Sequence, residues 1–498
     1  MATPKAKKPS YSTKQFFLDD YPRTLFPLST NKIIIENGED KIVQYIDECN
    51  SGTRSFLPQY RVYASKDPTH LRRTVKLDPI AEYFIYDIVY KNRSLFKKPH
   101  NTDKCHYGYR FKDGIPSLPS EDFSKFKFDV WAESFLKNYF IGFDVSTYFN
   151  CLYHHDLEAW LAALGASNDD VKLFSKFLRE INSGRSVDCL PHGLYPTKMI
   201  GNDFLRFIEE SKLLNSEKIH RFMDDIYIFS DNKEQTISDF NTIQRLLGLK
   251  GLSINSAKTT TLKPKTEQNE ENISEIKKRL LKKRKAMLAK NLYDDYETDE
   301  KIDEKTPISE EELEFINTIL KSGDLEEDDA ELVLTTMRTH TSDVLDSLPG
   351  IVSRFPHLAK NIYRFCARVK DKNFVANLVQ NQLKNKTLQE YQLFWFGMMV
   401  ESYLLGTDNA GDLMVELISH PNATDISKAK ILEIPELRYG IPEIRQTHLS
   451  SGRSDWLSWS SAVGSRSIKP AARNYQLSYF MKSSPMNQLI GDVIKNLT

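Results

Sequence analysis

Two acidic residues stand side by side in a strand-like run, and that pair constrains this chain more than any other feature. The stretch reads Arg221-Phe222-Met223-Asp224-Asp225-Ile226-Tyr227-Ile228-Phe229. Strand geometry sends neighbouring side chains to opposite faces, and the turn of a hairpin brings both near its end. A third acid, Asp144, lies near the end of another apolar run, Phe140–Val145 (FIGFDV). Carboxylates flanked by hydrophobic strand residues repel each other and need a counter-charge. A divalent cation supplies it, and two ions roughly 3.5–4 Å apart suit an in-line phosphoryl displacement. Mg²⁺ fits, because it takes a few carboxylates plus substrate phosphates. Taken alone, an Asp-Asp pair is most simply a hairpin turn, so its neighbours along the chain must decide.

Composition narrows the setting. The chain has 498 residues and 57.6 kDa, which predicts about two to four domains. Lysine plus arginine and aspartate plus glutamate both number 68, so the net charge is zero. That argues against a simple basic DNA-coating protein while leaving room for a local basic channel. Charged residues at 27% and hydrophobic ones at 40% exclude a wholly disordered chain. No apolar run reaches the ~18 residues of a membrane span; the richest, Phe394–Leu405, is broken by Glu401. Met1–Ser10 is basic and has no apolar segment, so no secretory signal is expected and a cytoplasmic location is. Cys49, Cys105, Cys151, Cys189 and Cys366 form no metal-binding spacing and read as reduced thiols.

Along the chain, residues 1–60 read as an N-terminal extension, with Met1–Thr13 flexible and Lys32–Glu36 (KIIIE) a short strand. Residues 61–262 mix strand and helix patterns. Asp78 as N-cap and Pro79 at the first helical position start one helix, and Asp156–Leu164 and Val171–Ile181 carry others. Residues 263–306 are strongly charged, basic to Lys290 and acidic from Asp294, and read as a linker. Residues 307–498 are helical. Ser309–Leu320 opens with a serine cap and acids in its first turn, and amphipathic stretches recur at Asp328–Met337, Asn361–Val369, Leu388–Leu405 and Asp412–Ile418. The expected fold class is therefore α+β, followed by an irregular HEAT-like helical array.

The acids also sit in a larger pattern. Phe143-Asp144-Val145-Ser146-Thr147-Tyr148-Phe149, running on to Leu152-Tyr153-His154-His155, resembles motif A of reverse transcriptases. Leu190-Pro191-His192-Gly193 with Thr197 resembles motif B, Phe222-Met223-Asp224-Asp225 motif C, and Gly251–Thr259 (GLSINSAKT) motif D. The resemblance covers Arg72–Leu262 and implies fingers and palm over 61–262. It implies that Asp144, Asp224 and the Val145 carbonyl hold two Mg²⁺ ions, with Mn²⁺ as an alternative and Asp225 as a further acid. Phe149 takes the steric-gate position against a ribose 2′-hydroxyl. Arg73, with Arg72 or Lys76, matches the arginine that clamps the triphosphate. His192 and Gly193 belong to the loop supporting the nucleotide, and Lys258 is placed to protonate leaving pyrophosphate. His192 stands where the family has Gln and Thr197 where it has Ser, which puts template handling in doubt. His155, beside His154 and Glu158, reads as a core or hydrogen-bonding histidine rather than a metal ligand.

Palm plus helical array is similar to the abortive-infection reverse transcriptases of bacterial phage defence. That likeness implies deoxynucleotide addition without a template, priming from a protein hydroxyl so that single-stranded DNA stays attached, and homo-oligomers of trimer or hexamer type. The alternative is a conventional RNA-templated enzyme making cDNA. Tyr21 is the first candidate for the primer and Tyr11 the second. Arg466, Lys469, Arg473, Tyr475 and Tyr479 are candidate strand contacts, or else part of a Tyr-rich dimer surface.

Overall fold

The computed structural model describes residues 11–97, 101–188, 190–260, 275–290, 307–321 and 325–497. The chain divides into two compact units, one of Met1–Pro27, Ile35–Arg61 and Thr74–Gln268, the other of Leu28–Ile34, Val62–Arg73 and Asn269–Thr498. The fold is α+β, with a mixed first unit and a helical second one.

The described residues form eight strands: β1 (Tyr60–Ser65), β2 (Leu71–Lys76), β3 (Lys104–Tyr107), β4 (Phe111–Lys112), β5 (Ile115–Pro116), β6 (Tyr139–Asp144), β7 (Lys218–Phe222) and β8 (Asp225–Ser230). Four of them make the sheet that carries the acids, in the order β3-β7-β8-β6. β8 is antiparallel to both neighbours, and β3 joins β7 in parallel. Ile219, Ile226, Ile228 and Phe229 are fully buried, as a sheet covered on both faces requires. The β6–β8 register sets Gly142 opposite Tyr227. A Cβ on Gly142 would lie 2.4 Å from that ring, so only glycine fits there.

Among the described residues as far as Gly248 the α-helices are α1 (Thr13–Asp20), α2 (Ser29–Asn50), α3 (Pro79–Lys91), α4 (Pro119–Leu136), α5 (Tyr148–Cys151), α6 (His154–Ala163), α7 (Asn168–Ile181), α8 (Tyr195–Phe204) and α9 (Lys233–Gly248). α4 lies on β3 and β7 through the buried Phe126, whose ring meets Tyr107 and Phe222. α9 packs on β6 and β8, with Phe240 and Phe143 5.1 Å apart. α3 begins where the sequence predicts: Asp78 accepts from the Ile80 and Ala81 amides, and Pro79 follows it.

Lys32–Glu36, expected as a strand, is helix within α2. The buried positions Ile34, Ile35, Ile42, Tyr45, Ile46 and Cys49 recur with helical period. Burying each isoleucine is worth roughly 1.5–3 kcal/mol, more than the ~1 kcal/mol span of strand propensity. Of the stretch expected to be flexible, residues 1–10 lie outside the described residues, while Ser12 caps α1 at Thr13. Part of the segment expected as linker is also helix. Glu275–Lys290 buries Leu280 completely in the core of the helical unit, and residues 261–274 and 291–306 lie outside the described residues.

The helical unit stacks alternate helices. Glu327–Thr336, Ala359–Cys366, Glu390–Met399, Asp425–Leu432, Trp456–Gly464 and Pro485–Asn496 each pack on the next. Lys372–Leu383 packs on Ala410–Ser419, and Ile441–Leu449 on Pro470–Phe480, as a second row. One of its buried charge clusters is an ion-pair triad, in which Lys430 joins Glu401 and Glu433. No helix among the described residues is long and apolar enough to cross a membrane. Cys49, Cys105, Cys151 and Cys366 are free thiols; Cys189 lies outside the described residues.

Candidate active site

The two acid-bearing stretches meet at one end of the sheet. Register across β6 and β8 sets Asp144 opposite Asp225, while Phe222 of β7 also faces Asp225. Met223 and Asp224 therefore form a two-residue turn, and Asp224 sits at the hairpin tip. The GLSINSAKT stretch lies against the same end. Ser146 N donates to Ser253 O at 2.8 Å, Asn255 N donates to Asp144 O at 2.8 Å, and Val145 bridges Ile254. Lys258 consequently brings its Nζ to 3.4 Å from Asp144 Oδ2.

The electrostatics are those of acids short of partners. Burial, aided by the charges of Asp225 and Asp144, pushes the Asp224 carboxyl up to about 6 against the pull of Lys258. Burial likewise raises Asp225, opposed by Lys127 and Lys258 and assisted by Asp144. Asp144 Oδ1 is buried without a hydrogen-bond partner. Such a set suits a divalent cation. Among the described residues no three His, Cys, Asp or Glu side chains are already closed into a ligand cage, and Lys258 supplies the present counter-charge.

Phe149 is buried on α5 with its ring 4.7 Å from that of His192. α5 is anchored to α8 by Tyr148, whose hydroxyl donates to Gly201 O at 2.7 Å. His192 N donates to Thr74 Oγ1 at 2.7 Å, and its Nε2 lies 3.4 Å from Asn150 Oδ1. Asn150 donates in turn to Asp188, which is ion-paired with Arg61. Gly193 holds φ +92°, and a Cβ there would meet Leu25 at 2.7 Å, so this loop turn needs glycine. Thr197 is buried and donates to Leu194 O. Asp20, which no motif marks, accepts from Tyr195 N and from the Tyr86 hydroxyl and so secures the start of α8.

The remaining predicted residues differ in burial and bonding. Arg72 and Arg73 are exposed on β2 and belong to the second unit. Lys76 is buried in an ion pair with Glu82 at 2.9 Å, which does not suit it to a triphosphate. Tyr21 does not offer a mobile hydroxyl: it is buried and donates to Pro27 O at 3.1 Å. Tyr11 donates to Asp19 at 2.8 Å, and burial together with the Asp19 charge raises its phenol further from ionisation. Arg466 and Arg473 spend their guanidinium groups on backbone carbonyls, so of the C-terminal candidates only Lys469, Tyr475 and Tyr479 face solvent. His155 is exposed 3.9 Å from Glu158, an ordinary surface pair.

Residues 92–273 match the family model described as reverse transcriptase (RNA-dependent DNA polymerase). The chain carries a reverse transcriptase-like domain. Among solved structures it is similar to the telomerase of Candida albicans in complex with a TWJ fragment of telomeric RNA, at 12% identity and a TM-score of 0.29. That match covers 79% of this chain and 66% of the telomerase chain. No curated protein matches the sequence. The reverse transcriptase-like segment contains β6, β7 and β8, and with them all three carboxylates.

Sequence reasoning missed the buried support of the acid turn, Arg221 with Glu209 and Asn202. The available signal was Arg221 itself, a cation in a strand three residues before the acids.

Proposed function

We propose that the chain is a metal-dependent nucleotidyltransferase that adds deoxynucleotides to a 3′ hydroxyl. The observation carrying this reading is the β6–β8 register, which places Asp144 across from Asp225 with Asp224 at the adjoining tip. Asp144, Asp224 and the Val145 carbonyl, with Asp225, would hold Mg²⁺ or Mn²⁺. A bound ion pair supplies positive charge to the oxygens of an in-line phosphoryl displacement. The protein's own part is to keep three carboxylates together in a half-buried corner and to hold Lys258 beside them, where its ammonium can give a proton to departing pyrophosphate. Phe149, backed by His192, presents a ring against a ribose 2′-hydroxyl.

The finer reading is an abortive-infection enzyme of anti-phage defence, working untemplated, primed from its own hydroxyl and assembled as a homo-oligomer. It is supported by the resemblance of Tyr148-Phe149 followed by Leu152-Tyr153-His154-His155 and by the stacked helical unit. The description of the matched family favours a second reading, copying of an RNA template. Incubation with labelled dNTPs and Mg²⁺, with and without RNA, separates the two. Label that stays on denatured protein without added nucleic acid supports self-primed addition, and peptide mapping then locates the primer. Product only with RNA supports copying. Incorporation under neither condition rejects the polymerase reading.

A further inference from the structure

The turn between β7 and β8 is under backbone strain at the residue next to the acids. Phe222 pairs with Asp225, so the loop has two residues, and Met223 at its first position holds φ +56°. Asp224 is not among the described residues with positive φ. A two-residue turn with positive φ at its first position alone is one that favours glycine there. Methionine in the left-handed region costs about 1–2 kcal/mol.

The compensation lies beneath it. Arg221, with no exposed surface, grips Glu209 through two bonds, Nε to Oε2 at 3.0 Å and Nη2 to Oε1 at 2.6 Å. Its Nη1 donates to Met223 O at 2.9 Å and to Asn202 Oδ1 at 3.2 Å. The same Asn202 oxygen accepts from Met223 N at 3.1 Å, and its amide nitrogen donates to Tyr107 O on β3 at 2.9 Å. Both backbone polar groups of the strained residue are thus held by side chains of α8 and β7, the first of them tied to the backbone of β3. His106, 3.2 Å from Glu209, completes the set. With Arg221 and His106 beside it, Glu209 overcomes burial and sits down at about 2, so the grip is ionic on both sides.

We infer that Arg221, Asn202 and Glu209 are positioning residues that clamp Met223 in its left-handed conformation and thereby aim Asp224 and Asp225 at the reacting phosphate. The inference rests on the nucleotidyltransferase reading. All three are buried beneath the turn. Their effect passes through the turn, and misplacing acids by about 1 Å costs on the order of a hundredfold in rate.

The test uses R221K and E209Q in the full chain, each alone and combined with M223G, because glycine takes the left-handed conformation unaided. The single variants should lose about a hundredfold in kcat for dNTP incorporation, with KM for dNTP within about threefold. Adding M223G should recover at least about tenfold of that loss. A plain packing role predicts no such rescue, since glycine adds chain entropy and removes a side chain. Folded single variants with unchanged kcat overturn the inference, as does a loss that M223G leaves in place. Where a single variant does not fold, its melting transition decides: return of the transition with M223G supports the clamp, and its continued absence rejects it. If the unaltered protein incorporates nothing, the polymerase reading fails separately. The clamp is then read from amide exchange at Met223, which E209Q should speed by about tenfold or more and which, unchanged, sinks it.

Discussion

Glu401 and Glu433 in the helical unit, and Asp144, Asp224 and Asp225 in the mixed unit, are acids placed where water is scarce. At the Lys430 cluster of the helical unit the buried glutamates are bonded. Lys430 bonds both glutamates, Glu433 also accepts from Ser29 N, Thr30 N and Thr30 Oγ1, and Glu401 accepts from Ser29 Oγ. Lys430 overcomes the burial of Glu401 and lowers its carboxyl. At the hairpin tip burial wins instead: Asp224 and Asp225 are raised, and one oxygen of Asp144 has no partner. Burying charges is tolerable when they are paired and bonded. A fold that satisfies one cluster fully and leaves the other short holds the second for something outside the protein.

Breaking each cluster should therefore have opposite consequences. Asp224→Asn should reduce incorporation to background, because a cation loses a charged ligand. With divalent ions chelated, the same variant should melt at a higher temperature than the parent, since a like charge has gone. Incorporation that survives, or a lower melting temperature, would place Asp224 with the structural acids. Lys430→Ala should do the reverse, destabilising the helical unit by about 3–5 kcal/mol through two stranded glutamates. Urea unfolding followed by circular dichroism reads this directly, and a change below about 1 kcal/mol would remove the cluster from the comparison.

How far the sequence foretold these clusters follows from what each depends on. The hairpin acids were legible because their chemistry is local: an apolar strand, a turn and adjacent carboxylates lie within nine residues, and Asp144 sits in a run of the same kind. The start of α3 was legible for the same reason, a cap beside its proline. Lys430 and Glu433 lie one helical turn apart, but Glu401 and Ser29 are distant from them in the chain, and nothing in a lysine's neighbours says that it will be buried. Lys32–Glu36 misled because β-branched residues suit a strand locally, while the helical period shows only over the longer span to Cys49. Arg466 and Arg473 looked like strand contacts because composition cannot tell a cation facing solvent from one that caps carbonyls. The Arg221 clamp was hidden in its partners, since Asn202 and Glu209 belong to no motif.

Phe149 sharpens the comparison from the uncharged side. Its ring is held by packing on His192 rather than by ion pairs, so shortening it should alter selection and leave the acids in place. Phe149→Ala should narrow discrimination against ribonucleotides by about tenfold to a hundredfold, measured as the ratio of kcat/KM for dNTP and rNTP. An unchanged ratio would make the ring core packing alone.

The smallest expected effect is a slope with pH. With divalent ions chelated, folded Asp224 keeps its proton up to about pH 6, whereas an unfolded aspartate releases it near pH 4. Between these values the folded chain binds more protons than the unfolded one, so its stability falls as pH rises through the window. Asp225, shifted in the same direction, adds to the slope. Glu401 has the opposite sign. Its lowered carboxyl contributes stability above the unfolded glutamate value, and that contribution is lost as pH falls. Melting temperatures taken from about pH 4 to pH 7 should show Asp224→Asn gaining on the parent as pH rises. Lys430→Ala should instead lose its deficit as pH falls. Parallel curves for parent and Asp224→Asn would mean that the tip acids are solvated in the folded chain, and the contrast between the two clusters would dissolve.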